Sequence, residues 1–220
     1  IIHEKSLTRD HTELMMQYLG YDIKLDNSNS ARKITFTPGE SVQAKDITVP
    51  SDPSSAAFFI VAALLVPDSH LLIENVGINY TRIGLFEVLT EMGAKIKYLN
   101  EREVSGEMVA DLEVQYSNLH AVEVKPEIAP RMIDEYPILA VAAACAEGVT
   151  RMRGLSELRV KESDRLNAII VNLEKFGVGY KVEGDDLLVY GGKFTNNSGD
   201  VKVESFADHR IAMAFIVLAS

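Results

Sequence analysis

The sequence predicts an α/β fold of repeated βαβαββ units, in which buried helices lie behind mixed sheets. Glycines that end helices recur at Gly20, Gly93 and Gly177, which lie 73 and 84 residues apart. Each ends an amphipathic helical pattern and precedes two strand-like stretches, and a second, more apolar helix alternates with the first. Self-similarity over such a period indicates a repeat architecture. The chain holds the end of one unit, two whole units and the start of another, so the array is incomplete.

The amphipathic helices are each predicted to open near an arginine that lies eleven or twelve residues before the glycine. Arg9, Arg82 and Arg165 hold these positions. Apolar residues follow at spacings of three and four, which makes one buried stripe on each helix. Paired strands are predicted from the β-favouring runs that come after each glycine: 21–25 with 33–37, 94–99 with 112–116, and 178–182 with 187–190.

The second kind of helix is predicted at 56–66, 138–146 and 211–219, where almost every residue is apolar. A helix that is apolar nearly all round is a buried one. An aspartate is expected as the N-cap of each, and a proline falls inside the first turn of the first two, where its missing N–H is tolerated. The three aspartates are Asp52, Asp134 and Asp208.

Residues 159–165 form the most charged segment at a predicted helix start, with the sequence Arg-Val-Lys-Glu-Ser-Asp-Arg. A helix that begins near Lys161 would place Lys161 and Arg165 on one face of its first turn, beside Glu162. Cations at a helix N-terminus oppose the macrodipole. Such a conflict is expected where an anion must be held, although a solvated and salt-bridged first turn explains the pattern equally well.

The composition is that of an ordinary soluble globular protein, with 220 residues, 47% hydrophobic and 25% charged. The net charge of −10 argues against broad nucleic-acid binding, which needs a basic face. No apolar run is long enough to span a membrane. The single cysteine, Cys145, excludes a disulfide framework and a cysteine metal cluster, so we expect a reducing, cytoplasmic setting.

The two ends and one internal segment suggest how the chain is divided. It opens at Ile1 without a targeting pattern and closes at Ser220 directly after an apolar run, so both ends look cut. Residues 46–49 are predicted to form a strand that leads into the first apolar helix, which places a domain crossing between Gly39 and Asp52. We therefore predict that residues 1–48 end a first domain and that residues 49–220 form most of a second.

If the units are related by rotation, the starts of their helices converge on one place. Two carboxylates beside cations can divide acid and base roles, and arginines at separate helix starts suit a ligand that bears carboxylate and phosphate. The structural alternatives are N-caps for Asp134 and Asp208, a surface position for His209, a salt bridge for Arg82, and turn or cap roles for Ser54 and Thr81. The convergent set is Asp134, Lys161, Glu162, Arg165, His209 and Arg210.

Five segments resemble the EPSP synthase family, 3-phosphoshikimate 1-carboxyvinyltransferase. They are residues 8–11, 52–58, 132–137, 159–165 and 208–214, and the similarity runs through all 220 residues. The pair Lys-Glu-Ser-Asp-Arg and Asp-His-Arg is specific, and the segments look more like the glyphosate-tolerant bacterial class than the plant and enteric class. The resemblance implies an enolpyruvyl transferase-like inverse α/β barrel of six units in two domains, with the substrates enclosed between them.

The resemblance implies transfer of the enolpyruvyl group from phosphoenolpyruvate to the 5-hydroxyl of shikimate 3-phosphate. Phosphate is released, no cofactor or metal is used, and the reaction serves the shikimate pathway to chorismate and the aromatic amino acids. Arg9 is similar to a residue that contacts shikimate 3-phosphate from the first domain. Asp134 resembles the general base on the 5-hydroxyl, and Lys161 resembles its partner on the same substrate.

The family likeness assigns the remaining residues to the donor. Glu162 resembles the residue that acts on the methylene carbon of phosphoenolpyruvate. Arg165 and Arg210 resemble the clamps on its phosphate and carboxylate. This division suits the chemistry, because the hydroxyl must lose a proton and the enol carbon must gain one.

Several family segments have no counterpart here. They are the opening Lys-Ser and Arg, a glycine-rich Asn-Ala-Gly-Thr segment, a Ser-Ala-Gln substrate contact and a late lysine. We therefore expect the chain alone to be inactive and to need a complementary half, on the same polypeptide or on another chain. UDP-N-acetylglucosamine enolpyruvyl transferase shares the repeat and the donor. It is disfavoured because it lacks the likeness to residues 161–165 and the histidine of residues 208–210.

Overall fold

The computed structural model describes residues 1–5, 7–28, 31–39, 42, 44–192 and 200–220. Six α-helices are found within these ranges: α1 (His11–Tyr18), α2 (Pro53–Leu65), α3 (Gly84–Glu91), α4 (Tyr136–Cys145), α5 (Arg165–Lys175) and α6 (His209–Ala219). The same ranges contain ten strands: β1 (Ile2–Glu4), β2 (Asp22–Ser28), β3 (Ala31–Thr37), β4 (His70–Gly77), β5 (Lys95–Val104), β6 (Glu107–Gln115), β7 (Glu123–Val124), β8 (Val149–Met152), β9 (Gly179–Glu183) and β10 (Asp186–Tyr190). Short 3-10 helices lie at Tyr80–Arg82, Pro126–Arg131 and Ser156–Val160.

Two sheets repeat the same topology, which confirms the predicted units. One has the order β4-β6-β5 and the other has the order β7-β8-β10-β9. In the second sheet the parallel pair β7 and β8 stands beside antiparallel pairs, so the sheet is mixed. In the first sheet Ser51 alone takes the place of β7, through a parallel bridge to Val76. A third sheet, β1-β3-β2, is built from residues 2–37.

The apolar helices α2, α4 and α6 contact one another and form the centre of the core. Residues 138–144 of α4 are fully buried, as an all-round apolar helix requires. The amphipathic helices α3 and α5 pack on the outside with one face inward, and α5 contacts both α4 and α6. The buried stripe predicted for α1 is wrong, because none of its residues is buried. Within the described ranges, every helix is too short or too polar to cross a membrane.

The predicted strand at 46–49 is wrong. This segment has no helical or strand structure, and pairing begins only with the bridge at Ser51. Its backbone groups bond to side chains instead. The Thr48 N–H donates to the Ser105 hydroxyl at 2.9 Å, and the Tyr18 hydroxyl donates to the Asp46 carbonyl at 2.9 Å.

The predicted start of α5 near Lys161 is also wrong. Lys161 is extended, with φ −87° and ψ −159°, and it follows a 3-10 helix. The helix begins at Arg165 because Asp164 is its N-cap and accepts from the Asn167 N–H at 2.9 Å. Lys161 and Arg165 therefore do not share a helical face.

Aspartate N-caps are confirmed for two of the three apolar helices. Asp52 accepts from the backbone N–H groups of residues 54 and 55, and Asp208 accepts from the Arg210 N–H at 3.0 Å. The prediction is wrong for α4, where Glu135 is the N-cap residue and its side chain makes no capping bond. Asp134 lies one position earlier, and its carboxylate is held by arginines instead.

Candidate active site

Arg165 lies at the centre of the converging helix starts. Its Nε is 2.8 Å from Asp208 Oδ2 and its Nη1 is 3.0 Å from Asp134 Oδ1, while its Nη2 bonds to Glu162. The side chain is 0% exposed. A buried guanidinium is stable only where it is paired, and here three carboxylates pair it. The cation at the start of α5 is thus neutralised locally.

Asp134 collects three guanidinium groups, one of which comes from the first part of the chain. Arg9 Nη2 lies 3.0 Å from Asp134 Oδ2, and Arg210 Nη2 lies 4.0 Å from the same oxygen. Burial alone would raise the pKa of Asp134, but hydrogen bonds from Arg9 and Arg165 and the charge of Arg210 lower it to about 2. Asp134 is therefore ionised at neutral pH.

The arginine of each amphipathic unit pairs with an aspartate at the start of an apolar helix. The salt bridge predicted for Arg82 is confirmed, since its Nη2 lies 2.8 Å from Asp52 Oδ1; it also donates to the Ser54 hydroxyl at 2.8 Å. Repetition of the fold therefore repeats an ion pair as well as a helix. The three pairs are Arg9 with Asp134, Arg82 with Asp52, and Arg165 with Asp208.

Other members of the predicted set lie nearer to solvent. The Glu162 side chain is 56% exposed although it bonds to Arg165. Arg210 Nε is buried and has no hydrogen-bond partner among the described residues. Lys161 is half-buried and His209 is exposed, and the side chains of these two form no hydrogen bond or ion pair within the described part of the chain. The Arg210 Nε and the Lys161 ammonium, which have no partner within the described residues, can each bind an anion.

Sequence reasoning missed the double role of Asp208, which it treated as a plain cap. One carboxylate oxygen caps α6 and the other binds Arg165 and the Ser163 hydroxyl. Burial opposes ionisation of Asp208, but the hydrogen bonds from Arg165 and the Arg210 N–H lower its pKa. Only its position before an apolar helix pointed to it, and that signal fits a cap equally well.

Glu135 was also missed, although a carboxylate directly before a wholly apolar helix was a usable signal. Its side chain is 3% exposed, and Oε1 has no partner among the described residues. Burial raises the pKa of Glu135 and the charge of Asp134 adds to this, while Ser54, Arg210 and Arg82 oppose it. Ionised Glu135 therefore destabilises the folded state.

We expect Glu135→Gln to stabilise the protein near neutral pH by on the order of 1 kcal/mol, about 2–4 °C in Tm. Below the pKa of an unfolded glutamate, Glu135 is protonated in both states and the two proteins should unfold alike. As the pH rises above the unfolded-state pKa, the unfolded chain gives up this proton while the folded protein keeps it, so the difference opens and is complete once the pH passes the raised folded-state pKa. Thermal unfolding followed by circular dichroism at pH 4 and pH 8 measures it.

Glu174→Gln is the matched control, because Glu174 is exposed on α5. It should leave Tm unchanged at both pH values. A lower Tm for Glu135→Gln at pH 8 would show that the ionised carboxylate stabilises the fold, in contradiction to this prediction.

The chain matches one protein family along its whole length. The family model for EPSP synthase (3-phosphoshikimate 1-carboxyvinyltransferase) matches residues 1–220. A curated protein of that name from Methylorubrum populi is 52% identical over 218 residues, with 98% of this chain and 48% of the relative covered. Another from Carboxydothermus hydrogenoformans is 51% identical, with 99% and 49% covered. The chain thus spans about half the length of the curated relatives it matches.

Solved structures give the same result. EPSP synthase from Acinetobacter baumannii aligns with a TM-score of 0.87 and 40% identity, over 97% of this chain and 48% of that one. The enolpyruvyl transferase NikO from Streptomyces tendae aligns with a TM-score of 0.62 and 23% identity, over 86% of this chain and 42% of that one, which indicates a shared fold only. Together with the match of the family model over the whole sequence, these relatives show that the chain belongs to the EPSP synthase family.

Proposed function

We propose that this chain is part of a cytoplasmic enzyme that transfers the enolpyruvyl group of phosphoenolpyruvate to the 5-hydroxyl of shikimate 3-phosphate. Residues 1–48 would end its first domain and residues 49–220 would form most of its second. The observation that supports this best is the ionised carboxylate of Asp134, which lies among Arg9, Arg165 and Arg210 at the converging helix starts. The remaining half of the site would come from the same polypeptide or from a complementary chain.

On the acceptor side, we assign Arg9 to the phosphate of shikimate 3-phosphate and Asp134 to its 5-hydroxyl. With its pKa near 2 in the absence of ligand, Asp134 is a weak base. Arg9 would turn to the substrate phosphate, whose charge would also offset the nearby arginines, so the pKa of Asp134 would rise toward a useful range. Lys161, which is half-buried and directly precedes Glu162, would hold the same substrate.

On the donor side, we assign Glu162 to the methylene carbon of phosphoenolpyruvate, and Arg165 and Arg210 to its anionic groups. Glu162 is the exposed partner of Arg165, so its departure toward the ligand would free one edge of that guanidinium. Arg210 would offer the Nε that has no partner in the described residues. Protonation of the methylene carbon would let the 5-oxygen add to the neighbouring carbon. Loss of a proton from the resulting methyl group would then re-form the C=C bond as the C–O bond to phosphate breaks, and the arginines would stabilise the phosphate that leaves.

The test uses a completed enzyme, in which this chain is joined to the part of its relatives that it does not cover. We expect the completed enzyme to release phosphate from phosphoenolpyruvate only when shikimate 3-phosphate is present. The 220-residue chain alone should show no turnover above a blank, because catalysis needs both halves to orient the substrates.

The control substrate is UDP-N-acetylglucosamine, which should not replace shikimate 3-phosphate. Turnover with the sugar nucleotide alone would refute the proposed acceptor. Turnover by the isolated chain would refute the requirement for the missing half.

A further inference from the structure

The side-chain amide of Asn79 uses all of its hydrogen-bonding positions. Nδ2 donates to Asp10 Oδ1 at 2.8 Å and to Glu107 Oε2 at 3.1 Å. Oδ1 accepts from the backbone N–H of Thr81 at 2.8 Å and from its hydroxyl at 2.7 Å. An amide has two donors and two acceptor lone pairs, so its orientation is fully determined.

The first of these bonds reaches the segment that carries Arg9. Asp10 follows Arg9 and is the N-cap residue of α1, yet its carboxylate does not cap that helix. Instead, Oδ1 binds Asn79 and Oδ2 accepts from the buried Arg32 at 3.2 Å. An N-cap aspartate normally binds its own helix, so this diversion ties the start of α1 to another part of the chain.

The bond from Asn79 to Glu107 also ties the start of α1 to another part of the chain. Glu107, at the start of β6, binds Asn79 through Oε2 and His11 of α1 through Oε1 at 2.5 Å. Two carboxylates, Asp10 and Glu107, thus meet the same amide group. Without its two N–H donors they would face each other as like charges, which disfavours their approach.

The acceptor side of Asn79 leads to the second arginine of the repeat. Thr81 precedes Arg82, which bonds to Asp52 and Ser54 at the start of α2. A single amide therefore connects the segment that presents Arg9 with the 3-10 helix that presents Arg82.

We propose that Asn79 is a positioning residue for shikimate 3-phosphate. It holds residues 8–11 against β6 and the 3-10 helix Tyr80–Arg82, so that Arg9 Nη2 lies at Asp134 Oδ2, where the substrate enters. This inference rests on the proposed role of Arg9 in binding that substrate. Asn79 acts through Asp10 and Arg9 and need not touch the ligand.

The test is a double-mutant cycle in the completed enzyme with Arg9→Ala, Asn79→Ala and the pair. Arg9→Ala should raise KM for shikimate 3-phosphate about tenfold or more, as loss of a charge-assisted bond does. Asn79→Ala should raise the same KM roughly three- to tenfold and leave KM for phosphoenolpyruvate nearly unchanged. The double variant should be no worse than Arg9→Ala, because residues that act through one group are not additive.

Asn172→Ala is the matched control. Asn172 is 0% exposed and donates to the carbonyls of Ala168 and Glu204 at 2.8 and 2.9 Å. It is far from Arg9 in the sequence, and neither of these bonds involves the segment that carries Arg9. It should lower Tm but leave KM for shikimate 3-phosphate unchanged. If Asn79→Ala does not fold, Asp10→Ala removes the acceptor of the Asn79 amide from the other side and should give the same non-additivity.

Suppose that Arg9→Ala alone raises KM for shikimate 3-phosphate and that the effects of Arg9→Ala and Asn79→Ala on this KM are additive. That result would overturn only the role of Asn79. If Arg9→Ala leaves KM for shikimate 3-phosphate unchanged, the proposed role of Arg9 fails and this inference fails with it. If Asn172→Ala raises that KM as much as Asn79→Ala does, the effect is general destabilisation and the inference is overturned.

Discussion

Arg165→Lys is expected to lower the free energy of unfolding by about 3–5 kcal/mol. The guanidinium binds three carboxylates at once, and Asp208 is as fully buried as Arg165 itself. One ammonium group cannot occupy the positions of three guanidinium nitrogens, so the buried cluster loses charge-assisted bonds that water cannot replace. The loss therefore reflects poorer pairing of buried charges rather than a change in net charge.

Arg151→Lys is the matched control for this prediction. Arg151 donates to Asp186 Oδ2 from two nitrogens, at 2.7 and 3.0 Å, but its side chain is 31% exposed. An exposed ion pair contributes only about 0–1 kcal/mol. Urea unfolding followed by far-ultraviolet circular dichroism measures both variants. Equal losses would show that burial of the guanidinium does not determine the effect.

Arg210→Lys separates ligand binding from stability in the same experiment. Arg210 lies 4.0 Å from Asp134 and leaves Nε without a partner in the described residues. Lysine there should change the free energy of unfolding little, yet it should raise KM for phosphoenolpyruvate in the completed enzyme because the planar fork is lost. An unchanged KM would remove Arg210 from the donor site.

Asp134→Asn in the completed enzyme is expected to lower kcat by about 100- to 10,000-fold, the usual contribution of general acid–base catalysis. Asparagine keeps the shape and can still accept hydrogen bonds, but it cannot take the hydroxyl proton. Helix stability should be little affected, since α4 has Glu135 rather than Asp134 at its N-cap. Steady-state phosphate release at saturating substrates measures kcat.

Asp52→Asn is the control, because Asp52 also stands at the start of an apolar helix and also binds an arginine. It should reduce Tm and leave kcat near the parent value. If Asp134→Asn instead gives a normal kcat with a raised KM, Asp134 binds substrate without acting as the base.

The repeat and most of its elements could be predicted from the sequence because their signals are local. Apolar spacing identifies helices, glycines end them, and a cap bonds within three residues, as Asp164 does with Asn167. The same local rules explain two errors. The start of α5 was predicted near Lys161, but Asp164 is the better N-cap and sets the start of the helix. Asp134 was predicted to be an N-cap by analogy with Asp52 and Asp208.

The candidate site was predictable only as a set of residues at helix starts. The sequence by itself determined the repeated units, their buried helices and the charged residues that open them. The tertiary structure decided which polar groups meet: Arg165 with Asp134 and Asp208, Arg9 with Asp134, and the Asn79 amide with Asp10. These partners are 31, 43, 125 and 69 residues apart, so no helical or strand period relates them. The ion pairs of Arg165 and Arg9 follow from packing of the apolar helices, which brings the helix starts together and buries charges that are stable there only when they are paired.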